Sequence, residues 1–215
     1  MPGIHNFYES IDRRLLKKFP KNEFVDLPFR ATFSAPSGAG KSNTVLNLIA
    51  LLSKCFTKIV VITKEMEPLY EHLKDKVPGV EIRENADMIN INEYDKETSK
   101  LLILDDLVLE KKAVQAQIGQ LYIRGRKLGW STIYISQSYF GIAKMIRINA
   151  QEVFLGKNLT QRDLQIICRD FPSDISIREF ISLYKSITKE PLSSMRIDII
   201  RRKIFKNLTE YVCDL

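Results

Sequence analysis

Apolar residues along the chain gather in short β-branched runs separated by longer segments with helical spacing. Phe29-Arg30-Ala31-Thr32-Phe33-Ser34 is a short β-type run, and a helix is predicted from Lys41 to about Ser53. Lys58 to Thr63 (KIVVIT) reads as a buried strand, and Glu67 to Lys76 as a helix stopped by Pro78-Gly79. Leu101-Leu102-Ile103-Leu104-Asp105 is a third strand, followed by a helix from Ala113 to Lys127 that sets Ile118, Leu121 and Tyr122 on one face. Ser131 to Ser136 and Glu152 to Leu155 complete a set of five strands. Strands alternating with helices predict an α/β fold, a mainly parallel sheet covered on both faces.

The ends break this rhythm. Residues 1–27 mix charges and aromatics, with Pro20 as a breaker, and read as a helical extension with a basic helix from Ile11 to Phe19. Residues 28–172 hold the alternation. Over 173–215 a helix from Ile175 to Lys189 and a basic amphipathic segment from Met195 to Tyr211 predict a basic helical tail, an extension of the core or a lid over it.

Two strand ends carry chemistry. Ala35-Pro36-Ser37-Gly38-Ala39-Gly40-Lys41-Ser42 fits the Walker A phosphate loop except that Ala35 stands where the first glycine is usual. Gly38 and Gly40 permit backbone angles and a close approach that a side chain would block. Successive N–H groups, with Asn43 opening the helix, then cradle phosphates where the helix dipole favours anions. Lys41 is the residue to reach the β- and γ-phosphates, and the Ser42 hydroxyl is a magnesium ligand. Alanine at position 35 is tolerable if that turn needs no positive φ.

Leu101 to Asp106 reads as a Walker B strand. It delivers Asp105 to the end where ligands bind in open α/β sheets, to hold magnesium, and Asp106 to orient and activate water. Ile133 to Ser138 is another apolar run finishing in polar residues, so Gln137 is a candidate γ-phosphate sensor, or a cap for the following loop.

Charge refines the picture. The 33 Lys+Arg against 26 Asp+Glu leave a net +7, which favours an anionic partner. The 41 residues from Lys111 to Gln151 contain no Asp or Glu but hold Lys111, Lys112, Arg124, Arg126, Lys127, Lys144 and Arg147. Such a span suggests a surface facing DNA phosphate or a neighbour's nucleotide. Arg201 to Lys206 is a second basic patch. Cys55, Cys168 and Cys213 are scattered, which excludes a disulfide framework and disfavours structural zinc. The apolar run Val45 to Leu52 falls far short of the ~20 residues of a transmembrane helix. The first residues lack the pattern of a secretory signal, so the two Asn-x-Thr sequons, at Asn158 and Asn207, read as chance matches.

Walker A, a double-acid Walker B and the stretch Gly125-Arg126-Lys127-Leu128-Gly129-Trp130-Ser131-Thr132-Ile133-Tyr134-Ile135-Ser136-Gln137 resemble the FtsK–HerA superfamily of DNA-pumping ATPases. The small size and Ser-Gln strand ending are most similar to the genome-packaging ATPases of large double-stranded DNA viruses, the poxvirus type and its relatives. The resemblance covers roughly Phe29 to Phe171. It implies a RecA-like P-loop fold of the additional-strand type, with sheet order 5-1-4-3-2 in the five strands above. It implies ATP and Mg2+ as cofactors, and a homo-oligomeric ring, pentamer or hexamer, that threads double-stranded DNA. A capsid or inner-membrane component of a virion is a further partner, and the virion or host cytoplasm the expected location. Such rings use an arginine from the neighbouring subunit. Arg124, Arg126 and Arg147 are the candidates here, with Arg126 and Arg147 preferred.

Other classes fit less well. A cellular HerA/FtsK-like translocase or helicase usually carries extra domains. A small-molecule kinase would leave the sensor strand unexplained and would show an Arg-rich lid. A GTPase lacks its Asn-Lys-x-Asp guanine reader. A module that binds ATP without turnover is at odds with intact Lys41, Ser42, Asp105 and Asp106.

Overall fold

The computed structural model describes residues 6, 11–12, 19–52, 54–84, 89–171 and 173–215. The helix expected from Ile11 to Phe19 lies mainly outside them. The described elements run β1 (Arg30–Ser34), α1 (Lys41–Leu51), β2 (Lys58–Thr63), α2 (Pro68–Lys76), β3 (Val80–Glu84), β4 (Lys100–Asp105), α3 (Lys112–Arg124), β5 (Trp130–Ser136), α4 (Lys144–Arg147), β6 (Glu152–Gly156), α5 (Gln161–Asp170), α6 (Ile177–Ile187), β7 (Ser194–Asp198), β8 (Lys203–Lys206) and β9 (Glu210–Asp214). Short 3-10 turns cover Ile91–Glu93 and Gly125–Leu128.

The strands form one sheet of order β3-β2-β4-β5-β1-β6-β7-β8-β9. This differs from the expected five-strand order because four strands are added at the edges: β3 beyond β2, and β7 to β9 beyond β6. Between them β2-β4-β5-β1-β6 is parallel throughout and keeps the anticipated succession. The period-two alternation of the inner strands builds two cores. Ile59, Val61, Leu101 and Ile103 face α1 and α2, packing with Val45, Leu48, Tyr70 and Leu73. Val60, Ile62, Leu102 and Leu104 face the opposite layer, with Ile118 and Tyr122 of α3, Leu164 of α5 and Tyr184 of α6.

The C-terminal segment corrects an expectation. The segment Met195 to Tyr211, read as basic, amphipathic and part of a helical tail, lies instead in three antiparallel strands over 194–214 that continue the sheet from β6. Met195, Ile197 and Ile204 are fully buried: Met195 and Ile197 stand two apart on β7, and Ile204 of β8 pairs with Ile197. The exposed edge of β6 would otherwise leave its backbone groups unpaired, and β7 satisfies them. Two segments not anticipated, β3 and α5, carry readable signals: β3 alternates as VEIRE at a charged sheet edge, and α5 opens on a Thr160–Asp163 capping box.

A buried ion cluster ties β7 to the core. Arg196 Nε donates to Glu152 Oε2 at 2.9 Å, and its other nitrogens donate to the carbonyls of Leu208 (2.7 Å) and Phe24 (2.6 Å). Asp198 lies 3.7 Å from the same guanidinium. Glu152 is pushed up to about 7, burial outweighing its Arg196 partner. Its folded-state pKa lies above the unfolded one, so its share of stability is full at acid pH and is lost as pH rises through about 7. Arg196→Ala is expected to cost about 3–5 kcal/mol at slightly alkaline pH, by stranding buried carboxylates. The loss shrinks in mild acid, where Glu152 is protonated. Thermal melting at both pH values measures the difference, and equal losses would remove Glu152 from the account.

Candidate nucleotide site

Parallel strands bring their C-terminal ends to one edge, and the site is built there. The chain leaves β1 at Ser34, turns through residues 35–40, and enters α1 at Lys41. Gly38 and Gly40 sit at φ +75° and +81°, the left-handed conformation that the loop requires and only glycine adopts freely. Ala35 stays outside that region and is fully buried. Room for its methyl group comes from β6: a Cβ on Gly156 would stand 2.6 Å from the Ala35 Cβ. Ala35 and Gly156 together replace the expected glycine, a compensation that no local pattern in the sequence reveals.

Lys41 Nζ donates to the carbonyls of Ala35 (2.8 Å) and Pro36 (3.1 Å), arching back over the loop. Burial lowers its pKa, while Asp105, Asp106 and Glu67 pull it upward. The amine is thus held where anionic oxygens would replace two carbonyl partners.

Asp105 and Asp106 arrive at the end of β4. Asp105 is buried, and burial raises its pKa against a 2.6 Å hydrogen bond donated by Tyr70 Oη to its Oδ2; Glu67 and Asp106 add to the rise. Burial likewise drives the Tyr70 hydroxyl far above its ordinary range, so it remains a donor. Asp106 turns out of the strand at φ +51°, a conformation that Asp tolerates better than bulkier residues. Its Oδ2 accepts a 2.8 Å hydrogen bond from Gln137 Nε2 at the end of β5. The candidate sensor therefore touches the candidate water-activating acid directly.

Glu67 was not anticipated. It is the N-cap residue of α2 at the same edge, just before Pro68 opens the helix, and its Oε2 accepts a 2.6 Å hydrogen bond from Ser42 Oγ. An acid at the start of the helix that follows a strand was its only sequence signal. Asp163, also missed, positions the loop after Gln137: it accepts from Ser138 Oγ (2.7 Å) and from the backbone N–H of Phe140 (2.8 Å). Burial works to raise its pKa, but these donors and Thr160 hold it below the ordinary carboxylate value.

Ser37, Gly38, Gly40, Lys41, Ser42, Asn43, Glu67, Asp105, Asp106 and Gln137 line one cleft of about 600 Å3, a volume suited to a nucleotide. Ala35 and Pro36 contribute through their carbonyls, and Ala39 continues the loop.

The arginines do not join this cleft. Arg126 is exposed in the turn before β5, at the opposite edge of the sheet, roughly 20 Å away by strand rise. With Arg30 and Lys127 it lines a separate cleft of about 660 Å3. Arg147 is buried, paired to Asp170 at 3.2 Å and stacked 5.3 Å from the Tyr139 ring. Within its own chain it is engaged by these two partners rather than exposed. Arg124 ends α3, beside Arg126.

Comparison with known proteins agrees with this geometry. The DNA packaging protein OPG160 of vaccinia virus (strain Western Reserve) is 22% identical over 203 residues, covering 88% of this chain and 75% of that protein. The monkeypox virus protein of the same name is 22% identical over the same length, with 67% of it covered. Among solved structures, the genome packaging NTPase B204 from Sulfolobus turreted icosahedral virus 2, in complex with sulfate, superposes with a TM-score of 0.64 at 11% identity, covering 87% of this chain and 99% of that one. EssC (ATPases 2 and 3) from Geobacillus thermodenitrificans gives a TM-score of 0.56 at 12% identity, covering 87% of this chain and 39% of that one. At these identities the structures establish a shared P-loop ATPase fold. The sequence profile of the family described as Poxvirus A32 protein matches residues 16–215, and this chain belongs to that family.

Proposed function

We propose that this chain is an ATP-hydrolysing motor that moves double-stranded DNA during viral genome packaging. One observation carries the reading: Lys41, Ser42, Asp105, Asp106 and Gln137 converge in one cleft, in a family whose relatives are DNA packaging proteins. Lys41 is placed to neutralise β- and γ-phosphate oxygens. Asp106, held by Gln137, is placed to orient water and receive its proton.

The donor set also fits magnesium. Ser42 Oγ, Asp105 and Glu67 are hard oxygen donors. Such donors suit an ion that takes most of its ligands from phosphate and water. Ser42 and Asp105 would hold Mg2+, which when bound neutralises charge developing on the phosphoryl oxygens.

The arrangement works in a homo-oligomeric ring, where Arg126 faces phosphates outside its own site, on DNA or in a neighbour. The acid-free span supplies the cationic surface. The viral assembly site in the host cytoplasm is the corresponding location, with a capsid or virion-membrane component as docking partner.

The decisive experiment is an ATPase assay with and without double-stranded DNA, run while measuring mass in solution. Stimulation by DNA together with assembly is expected; DNA-independent turnover by a monomer would favour a small-molecule kinase. Binding of DNA is expected to fall steeply with salt, and Arg126→Ala to reduce the log–log salt slope by about 1 for any sequence. A salt-independent affinity would rule out phosphate contacts.

A further inference from the structure

At the end of the sheet away from the phosphate loop, a cleft of about 410 Å3 opens between the C-terminal ends of α1 and α2. Its volume is in the range of small-molecule sites. Ile49, Leu52, Ile59 and Leu73 form its floor, none more than 5% exposed. Leu46, Phe56 and Val77 add half-buried walls. The apolar surface is therefore recessed, since none of these seven side chains projects into solvent.

The mouth has the opposite character. Lys54, His72 and Lys76 line it and are exposed. His72 and Lys76 share one face of α2 by their i, i+4 spacing, and Lys54 follows the end of α1. Glu71 and Asp75 of α2 fall off that face, and no Asp or Glu lines the cleft. Neighbouring Lys58 is ion-paired to Glu81 at 2.8 Å. Lys54 and Lys76 have no acid within ion-pair distance among the described residues. Ammonium groups suit helix C-termini in general, but helix ends do not require an apolar hollow between them.

Floor and mouth together select the occupant. A membrane or a flat protein face is met by apolar side chains that protrude, and here they are sunk behind the lysines. A wholly apolar molecule would leave the ammonium groups unmatched. A small anion would leave the floor wet. An apolar chain with one anionic head satisfies both.

We propose that this cleft binds a free medium-chain fatty carboxylate, with its chain on Ile49, Ile59 and Leu73 and its head between Lys54 and Lys76. The site is separate from the nucleotide cleft, and the inference does not depend on the phosphate-loop reading.

The probe is decanoate, titrated calorimetrically into the full chain. One saturable site is expected, with a dissociation constant below about 1 mM. Decyltrimethylammonium, a chain of the same length with a cationic head, is expected to bind at least about tenfold more weakly. The double variant Lys54→Glu, Lys76→Glu is expected to melt like the native chain, because both side chains are exposed. It is expected to lose about tenfold in decanoate affinity and to gain affinity for decyltrimethylammonium, a reversal that a damaged fold would not produce. Absence of saturable decanoate binding by the native chain overturns the site. If phosphatidylserine vesicles are bound instead, the surface is a membrane contact. Equal affinity for the two head groups, or native decanoate affinity in the double variant, also overturns it. So does dissociation of an oligomer as decanoate is added, which would make a second copy of this chain the occupant.

Discussion

Lys41→Ala is expected to lower ATP turnover by about 1,000-fold or more. The effect is large because the ammonium lies in a half-buried cleft where charge interacts strongly, and because it acts on oxygens that gain charge during phosphoryl transfer. Its neighbours sharpen the effect. Asp105, Asp106 and Glu67 surround the cleft with negative charge, so without Lys41 a triphosphate meets only carboxylates and the loop's N–H groups. Binding of ATP should weaken along with turnover. Stability should hold, since Lys41 donates to two loop carbonyls that water can satisfy. Steady-state ATPase rates checked against a melting curve separate the two effects. Turnover within about tenfold of the native rate, with the fold intact, would sink the phosphate-loop reading.

Asp106→Asn is expected to keep ATP binding and reduce hydrolysis by about 100- to 10,000-fold, the usual worth of a general base. The substitution isolates chemistry from structure. Asn tolerates the left-handed φ of +51° as well as Asp does, and its Oδ1 can still accept from Gln137. What disappears is the carboxylate that receives a proton. Binding of a fluorescent ATP analogue beside the hydrolysis rate reads out the two halves. Normal hydrolysis would transfer the role to another acid, and Glu67, 2.6 Å from the Ser42 hydroxyl, is an alternative in the cleft. Gln137→Ala should give a smaller loss, since it leaves the base in place and frees only its orientation.

Much of this site is legible in the sequence. Gly38 and Gly40 announce positive φ because other residues seldom adopt it. Four consecutive apolar residues before Asp105 announce a strand buried on both faces, with its acid delivered to the ligand edge. Gln137 was legible as a strand-end polar residue but not as the partner of Asp106; that contact needs β4 and β5 side by side. Arg126 and Arg147 looked alike as basic residues preceding strands. The fold separates them, burying Arg147 against Asp170 and leaving Arg126 exposed. The C-terminal segment was misread because basic residues between apolar ones suit either period over a short window. The free edge of β6 decided for strands.

The sequence by itself determined the alternation of strands and helices, the phosphate loop, the acidic strand end and the cation-rich span, because each is encoded in torsions and periodicities within a few neighbouring residues. Only the tertiary structure decided that Glu67 holds Ser42, that Tyr70 holds Asp105, that Gly156 makes room for Ala35, and that Leu192 lies on Gly40. Those contacts join residues 25 to more than 150 positions apart, and they follow from strand order and register. Both are set by the summed burial of the whole sheet, which no single window of the chain contains.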